Sequence, residues 1–246
     1  MVALYTEEEA RGIFLNYIVQ FNKTYELDEF GQRFQNFQET LARIEGRGDT
    51  STFGLTKFSD MSPAEFKAKY LGYVPRERKG NVVVKESDTA LTFGIIDWRF
   101  KGAVIPVKNQ GGCGSCWAFS AMEEIESKNI LKTGKRVILS PKQIISCDTS
   151  SDGCYSGDTT LAFEYVKSAG GIEPAKDYPY KSGDDRTRRC KADKSDFAVK
   201  ISGYAFGPSL KPKSPTNIFT HLRAQCSFQE TEWKKVYYRL DPKILS

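Results

Sequence analysis

One stretch of this chain holds residues whose types and spacing could do covalent chemistry: Asn109-Gln110-Gly111-Gly112-Cys113-Gly114-Ser115-Cys116-Trp117-Ala118-Phe119-Ser120. It is a glycine-rich loop, preceded by Pro106, that runs into a helical pattern with Cys116 at the junction. A thiol there meets the unsatisfied N–H groups and the positive dipole end of the helix, which favour thiolate over thiol. Thiolate is the nucleophilic form, so the position predicts a reactive residue. The competing reading is a buried or disulfide-bonded cysteine.

The thiol would be carried by a helix from Cys116 to about Lys132, stopped by Gly134. Ser140-Pro141-Lys142-Gln143 reads as a capping box opening a short helix before Cys147. Another helix spans residues 158–169 and ends at Gly170-Gly171. Upstream, residues 6–24 predict a helix with Ile13, Phe14, Tyr17, Ile18 and Phe21 on one face. A second helix is expected over 26–46, where Leu27, Phe30, Phe34, Phe37, Leu41 and Ile44 form a narrow seam. Glu29 and Arg33 can pair on its surface. Thr52 to Asp60 reads as extended, and Ser62-Pro63-Ala64-Glu65 opens a third helix ending near Leu71-Gly72. Residues 73–92 have charge, Pro and Gly but no periodicity, and read as an exposed connector open to proteolysis.

The 246 residues suffice for one large domain or two smaller ones. Nothing spans a membrane, because no run of 18 or more apolar residues appears. No signal peptide is visible in Met1-Val2-Ala3-Leu4-Tyr5-Thr6-Glu7-Glu8-Glu9. The net charge of +5 gathers into no basic stripe interleaved with aromatics, so nucleic-acid binding is not expected. All six cysteines (Cys113, Cys116, Cys147, Cys154, Cys190 and Cys226) lie beyond residue 112, which points to disulfides and an oxidising compartment. Cys113-x-x-Cys116 has zinc-ligand spacing, but Cys147 and Cys154 are too far apart to complete a site and no histidine is near. A thioredoxin-like dithiol lacks its strand–helix context. No metal and no cofactor is expected.

Cys113-Gly114-Ser115-Cys116-Trp117 resembles the nucleophile signature of the papain-family cysteine peptidases. Upstream, Glu29, Arg33, Phe37 and Ile44 match a propeptide pattern of that family, with Thr40 and Gly48 in place of its two asparagines. Gly54-x-Thr56-x-Phe58-x-Asp60 resembles its second propeptide motif, and Asp97-Trp98-Arg99 followed by Gly102 to Lys108 resembles the start of the mature enzyme. The resemblance covers roughly residues 6–207. It implies an α+β, papain-like fold with a helical left domain, an N-terminal helical propeptide and a β-rich right domain largely missing from these residues. The expected division is 1–71 propeptide inhibitor domain, 72–92 activation linker, 93–208 left domain and 209–246 a tail without family resemblance.

The resemblance further implies that Cys116 is the nucleophile and that Gln110 donates its side-chain amide to the oxyanion hole. Cys113 would bridge to Cys154 and Cys147 to Cys190. Gly157, Ser156 and Asp158 fall where the family binds substrate, with Asp158 in place of an apolar wall; Asp158 is also a candidate N-cap of the following helix. Partners would be peptide or protein substrates and the chain's own propeptide lying in the cleft. The compartment would be lysosome-like or extracellular.

A family His and Asn are expected about 130–150 residues beyond the nucleophile. The single histidine, His221, is 105 residues past Cys116 in an unrelated setting, and no Asn-Ser-Trp-Gly segment exists. The last 38 residues are too few to form a barrel. A truncated zymogen, inactive as written, is the expectation. The alternative is a propeptide-like inhibitor of a related peptidase.

Overall fold

A computed structural model gives the fold and describes residues 5–46, 53–74 and 98–204. Asp97, most of the connector, His221, Cys226 and the 209–246 tail lie outside the described residues. The chain divides into two compact units, residues 1–68 and 69–246.

The first unit is built on α1 (Glu7–Gln20) and α2 (Phe30–Glu45). The Thr6 hydroxyl accepts the Glu9 N–H at 3.2 Å, and the Glu9 carboxylate accepts the Thr6 N–H at 2.8 Å, so two orphan donors of α1 are satisfied. The facing stripes meet in an aromatic core. Phe14 lies 5.0 Å from Phe37 and 5.5 Å from Phe30, in tilted and edge-on contacts, with Tyr17 and Phe34 buried beside it. Burying each such ring is worth about 1.5–3 kcal/mol.

Two elements differ from expectation. α1 ends four residues early, at a turn where Asn22 has φ 49°. α2 begins at Phe30 rather than 26, which leaves Leu27 98% exposed instead of on the seam. The cause is Asp60, whose carboxylate takes Lys23 Nζ at 2.9 Å and Tyr25 Oη at 2.7 Å, so the connecting residues serve that carboxylate instead of a helical turn. The stretch expected to be extended before Asp60 ends in a turn, because Ser59 Oγ accepts the Thr56 N–H at 2.9 Å and Ser59 N–H returns to the Thr56 carbonyl. The capping box at Ser62 and Glu65 forms and opens α3 (Pro63–Tyr70).

In the second unit α4 (Cys116–Thr133) is the spine, packed on α5 (Pro141–Cys147) and α6 (Thr159–Ala169). Trp117, Met122 and Ile125 of α4 are buried with Leu139, Ile144, Ile145, Val166 and Ile172. α4 and α6 stop where Gly134 (φ 71°) and Gly170 (φ 91°) take the left-handed conformation that a side chain would strain. The fully buried Glu126 pairs with Lys108 and accepts the Leu139 N–H at 2.7 Å. Burial raises its carboxyl above the usual range against the opposing pull of Lys108. Disulfides join Cys113 to Cys154 and Cys147 to Cys190, fastening the loop before α4 and the end of α5 to later segments. Among the described residues β structure is confined to isolated bridges, such as Ile172 with Val199, and no helix is long and apolar enough to cross a membrane.

Candidate active site

The loop from Asn109 to Ser115 is held at several points before it delivers Cys116 to the first turn of α4. Asn109 Oδ1 accepts the Gly111 N–H at 2.8 Å, and the Gly112 N–H donates to the Gly183 carbonyl at 2.8 Å. The disulfide of Cys113 anchors its far side. Cys116 is 1% exposed and belongs to neither disulfide.

Gln110 is buried in the same loop, and its side-chain amide makes two donations. One goes inward to the Cys113 carbonyl at 2.7 Å and fixes the side chain; the other goes to the carbonyl of Tyr70 at 3.2 Å. A carbonyl oxygen from a distant segment therefore sits on an amide donor belonging to the nucleophile loop.

Tyr70 begins a short run of chain laid along this site. The Gly157 N–H donates to the Gly72 carbonyl at 2.8 Å, and the Val74 N–H donates to the Gly157 carbonyl at 3.0 Å, a parallel bridge. The approach is so close that a Cβ on Gly72 would stand 1.8 Å from the Gly114 carbonyl oxygen. Gly157 is constrained from below as well, since a Cβ there would fall 2.3 Å from the Trp117 ring. Gly157→Ala should lower stability by about 1–3 kcal/mol through overpacking, read as a reduced denaturant midpoint with unchanged slope; an unshifted midpoint would contradict the contact.

The residues around Gly157 divide their work. Ser156, half-buried, uses its carbonyl to accept the Asp152 N–H at 2.8 Å in a tight turn, while Tyr155 projects outward, 69% exposed. Asp158 is buried, and its carboxylate accepts the Thr160 N–H at 2.7 Å as the N-cap of α6. Beneath the loop, Lys142 is buried and donates to Ser182 Oγ at 2.5 Å and to the Thr187 carbonyl. Desolvation, helped by nearby Arg188, pushes its ammonium down to about 8.

The Papain family cysteine protease model matches residues 94–240. The chain belongs to the papain family of cysteine proteases. A second match, to the Cathepsin propeptide inhibitor domain, covers residues 14–66. Among relatives, the chain is 36% identical over 235 residues to Cysteine proteinase 1 of Zea mays, covering 87% of this chain and 62% of that protein. It is 38% identical over 207 residues to Chymopapain of Carica papaya, covering 80% of this chain and 58% of that protein. The recombinant stem bromelain precursor superposes with a TM-score of 0.69 at 33% identity, over 80% of this chain and 64% of that one. Digestive procathepsin L2 proteinase from Tenebrio molitor larval midgut gives 0.70 at 30% identity, over 80% and 67%. The chain thus spans about half to six-tenths of the length of the curated relatives it matches.

For this papain-family chain, sequence reading singled out Cys116, Gln110 and Gly157; the fold sets Gln110 and Gly157 against residues 70–74 and puts Cys116 at the start of α4. It missed Tyr70 and gave Gly72 only the role of a helix stop. A glycine after a helix is a legible local signal, but its packing against Gly114 depends on a contact 42 residues away in sequence.

Proposed function

We propose that this chain belongs to a cysteine-type endopeptidase made as a zymogen, with Cys116 as nucleophile and Gln110 as an oxyanion-hole donor. The thiolate would attack the scissile carbonyl carbon, and the electron pair displaced onto oxygen would be met by the Gln110 amide and the Cys116 N–H. Donors aimed at that developing charge carry much of the barrier reduction in acyl transfer. The leaving amine would take its proton from the family's histidine, and water would then release the acyl group from sulfur.

The observation that carries this reading is the Tyr70 carbonyl on Gln110 Nε2, with Gly72 and Val74 paired to the backbone of Gly157. That run imitates a bound peptide, with its backbone paired to Gly157 and a carbonyl on the amide donor. We read residues 1–71 as the propeptide inhibitor domain, residues 72–92 as the activation linker, whose first residues continue the run along the site, and residues 93–208 as the left domain. Gly157 and Ser156 would line the substrate path, with Asp158 giving it an acidic wall whose carboxylate is committed to capping α6. Peptides or proteins would be the substrates. Two disulfides suit a lysosome-like or extracellular compartment.

Gly72→Ala tests the reading. Its Cβ cannot coexist with the Gly114 carbonyl, so the segment must lift. Alkylation of Cys116 by iodoacetamide, followed peptide by peptide by mass spectrometry, should then accelerate about tenfold, the effect of weakening the seat by about 1.4 kcal/mol. An unchanged rate would mean that residues 70–74 do not shield the thiol.

A further inference from the structure

Ser115, the N-cap residue of α4, makes no side-chain cap hydrogen bond, although a serine at that place ordinarily accepts an N–H of the first turn. Its hydroxyl instead lies 3.3 Å from the phenol of Tyr180. The same phenol donates to the backbone carbonyl of Gln110 at 2.6 Å. One proton serves that short bond, so Ser115 Oγ–H is left to donate to the phenol oxygen or to the Cys113 carbonyl, 3.4 Å away. The Tyr180 ring is fixed in turn by an edge-on contact with Phe119, 5.0 Å between centroids. A single side chain thereby grips both ends of the nucleophile loop, the residue that carries the amide donor and the residue before the thiol.

We propose that Tyr180 is a positioning residue that sets where the Gln110 amide points and keeps Ser115 off the N-terminus of α4. With its carbonyl pinned by Tyr180 and its side chain pinned by the Cys113 carbonyl, Gln110 is held at two points, and its remaining N–H can aim only outward. With Ser115 turned away, its hydroxyl does not compete for the first-turn N–H groups of the helix that carries Cys116. Burial pushes the Tyr180 phenol up to about 12, so it stays a donor across the working pH range. The proposal rests on the reading of Gln110 as the donor that faces Tyr70 or substrate.

The Tyr70 carbonyl is the reporter of that donor, since the proposed function has residues 70–74 shield Cys116 from alkylation. Tyr180→Phe in the full chain keeps the ring on Phe119 and removes only the hydroxyl. Iodoacetamide alkylation of Cys116, at a pH where its rate has levelled off, should accelerate about three- to tenfold, the worth of one hydrogen bond. Gln110→Ala should accelerate it at least as much, and the double variant should match Gln110→Ala alone, because Tyr180 acts through that side chain. Multiplying effects in the double variant, or no effect of Tyr180→Phe beside a clear effect of Gln110→Ala, would overturn the role of Tyr180. No effect of Gln110→Ala would overturn the donor reading, and the role of Tyr180 with it. Should Tyr180→Phe fold poorly, 3-fluorotyrosine at position 180 gives the opposite sign. Its phenol is a stronger donor, so alkylation should slow, and an equal or faster rate would refute the assignment.

Discussion

Peptide hydrolysis by these 246 residues is expected to lie about 10⁶-fold below that of a family member with its histidine in place, the loss seen in subtilisin when base or nucleophile is removed. The chain places a thiol at a helix N-terminus and an amide donor in the loop before it, which on the proposed reading are the nucleophilic and electrostatic halves of acyl transfer. The proton-transfer half needs a base within hydrogen-bond reach of the nucleophile. His221 is the one histidine in the sequence, in the setting Phe219-Thr220-His221-Leu222-Arg223, and lies outside the described residues. The check pairs a fluorogenic peptide assay with titration of Cys116 by a thiol-reactive epoxide. Stoichiometric labelling with negligible turnover is the expected pattern. Turnover near that of an intact enzyme, abolished by Cys116→Ala and by His221→Ala, would show that the missing base had been found in His221.

Asp60→Ala should cost the N-terminal unit about 3 kcal/mol, the lower end of the penalty for breaking a buried ion pair. Its carboxylate is nearly fully buried and accepts hydrogen bonds from Lys23, Tyr17 and Tyr25 at 2.7–2.9 Å. Lys23 keeps 21% of its side-chain surface in water, which moderates the loss. The Asp60 backbone carbonyl meanwhile accepts from Asn36 at 3.1 Å, so the same residue ties α2 to the turn. Burial alone would raise the Asp60 carboxyl, but the bonds from Lys23, Tyr25 and Tyr17 outweigh it and hold the group below its usual value. A carboxyl depressed by folding adds stability above its unfolded value near 3.9, and that stability is lost as pH falls toward the folded value. Glu65, held low first by the Ser62 N–H and further by Arg33, acts in the same direction. The N-terminal unit should therefore loosen first on acidification below about pH 4. Far-UV circular dichroism across that range, compared between the native chain and Asp60→Asn, checks it. The variant, lacking the titrating carboxylate, should show a weakened acid transition from a lower starting stability; an identical transition would remove Asp60 from the account.

Much of the local structure was legible. Gly134 and Gly170 marked helix ends because the left-handed conformation at a C-terminus favours glycine. The box at Ser62–Glu65 formed on both arms within three residues, whereas at Ser140 only the N-cap arm did, because Gln143 Oε1 takes the Glu173 N–H and the Ser140 N–H goes to the Glu173 carbonyl. Leu27 was misjudged, since its spacing continued a helical seam while its neighbours Lys23 and Tyr25 were drawn to a carboxylate 37 and 35 residues onward. Periodicity measures only what a helix would bury. It holds no information on a competing partner far along the chain.

The candidate site divides in the same way. The amino-acid sequence by itself determined that Cys116 opens a helix, the family to which its loop belongs and the order of propeptide before peptidase, because each is written in contiguous residues. Tertiary structure alone decided that Tyr70 covers the Gln110 amide across 40 residues, and that Tyr180 grips the same residue's backbone across 70. It also decided that Gly72 lies flush against Gly114. Local signals are fixed by hydrogen bonds and sterics within a turn or two, whereas these contacts exist only once α4, α5 and α6 have packed and brought distant loops together.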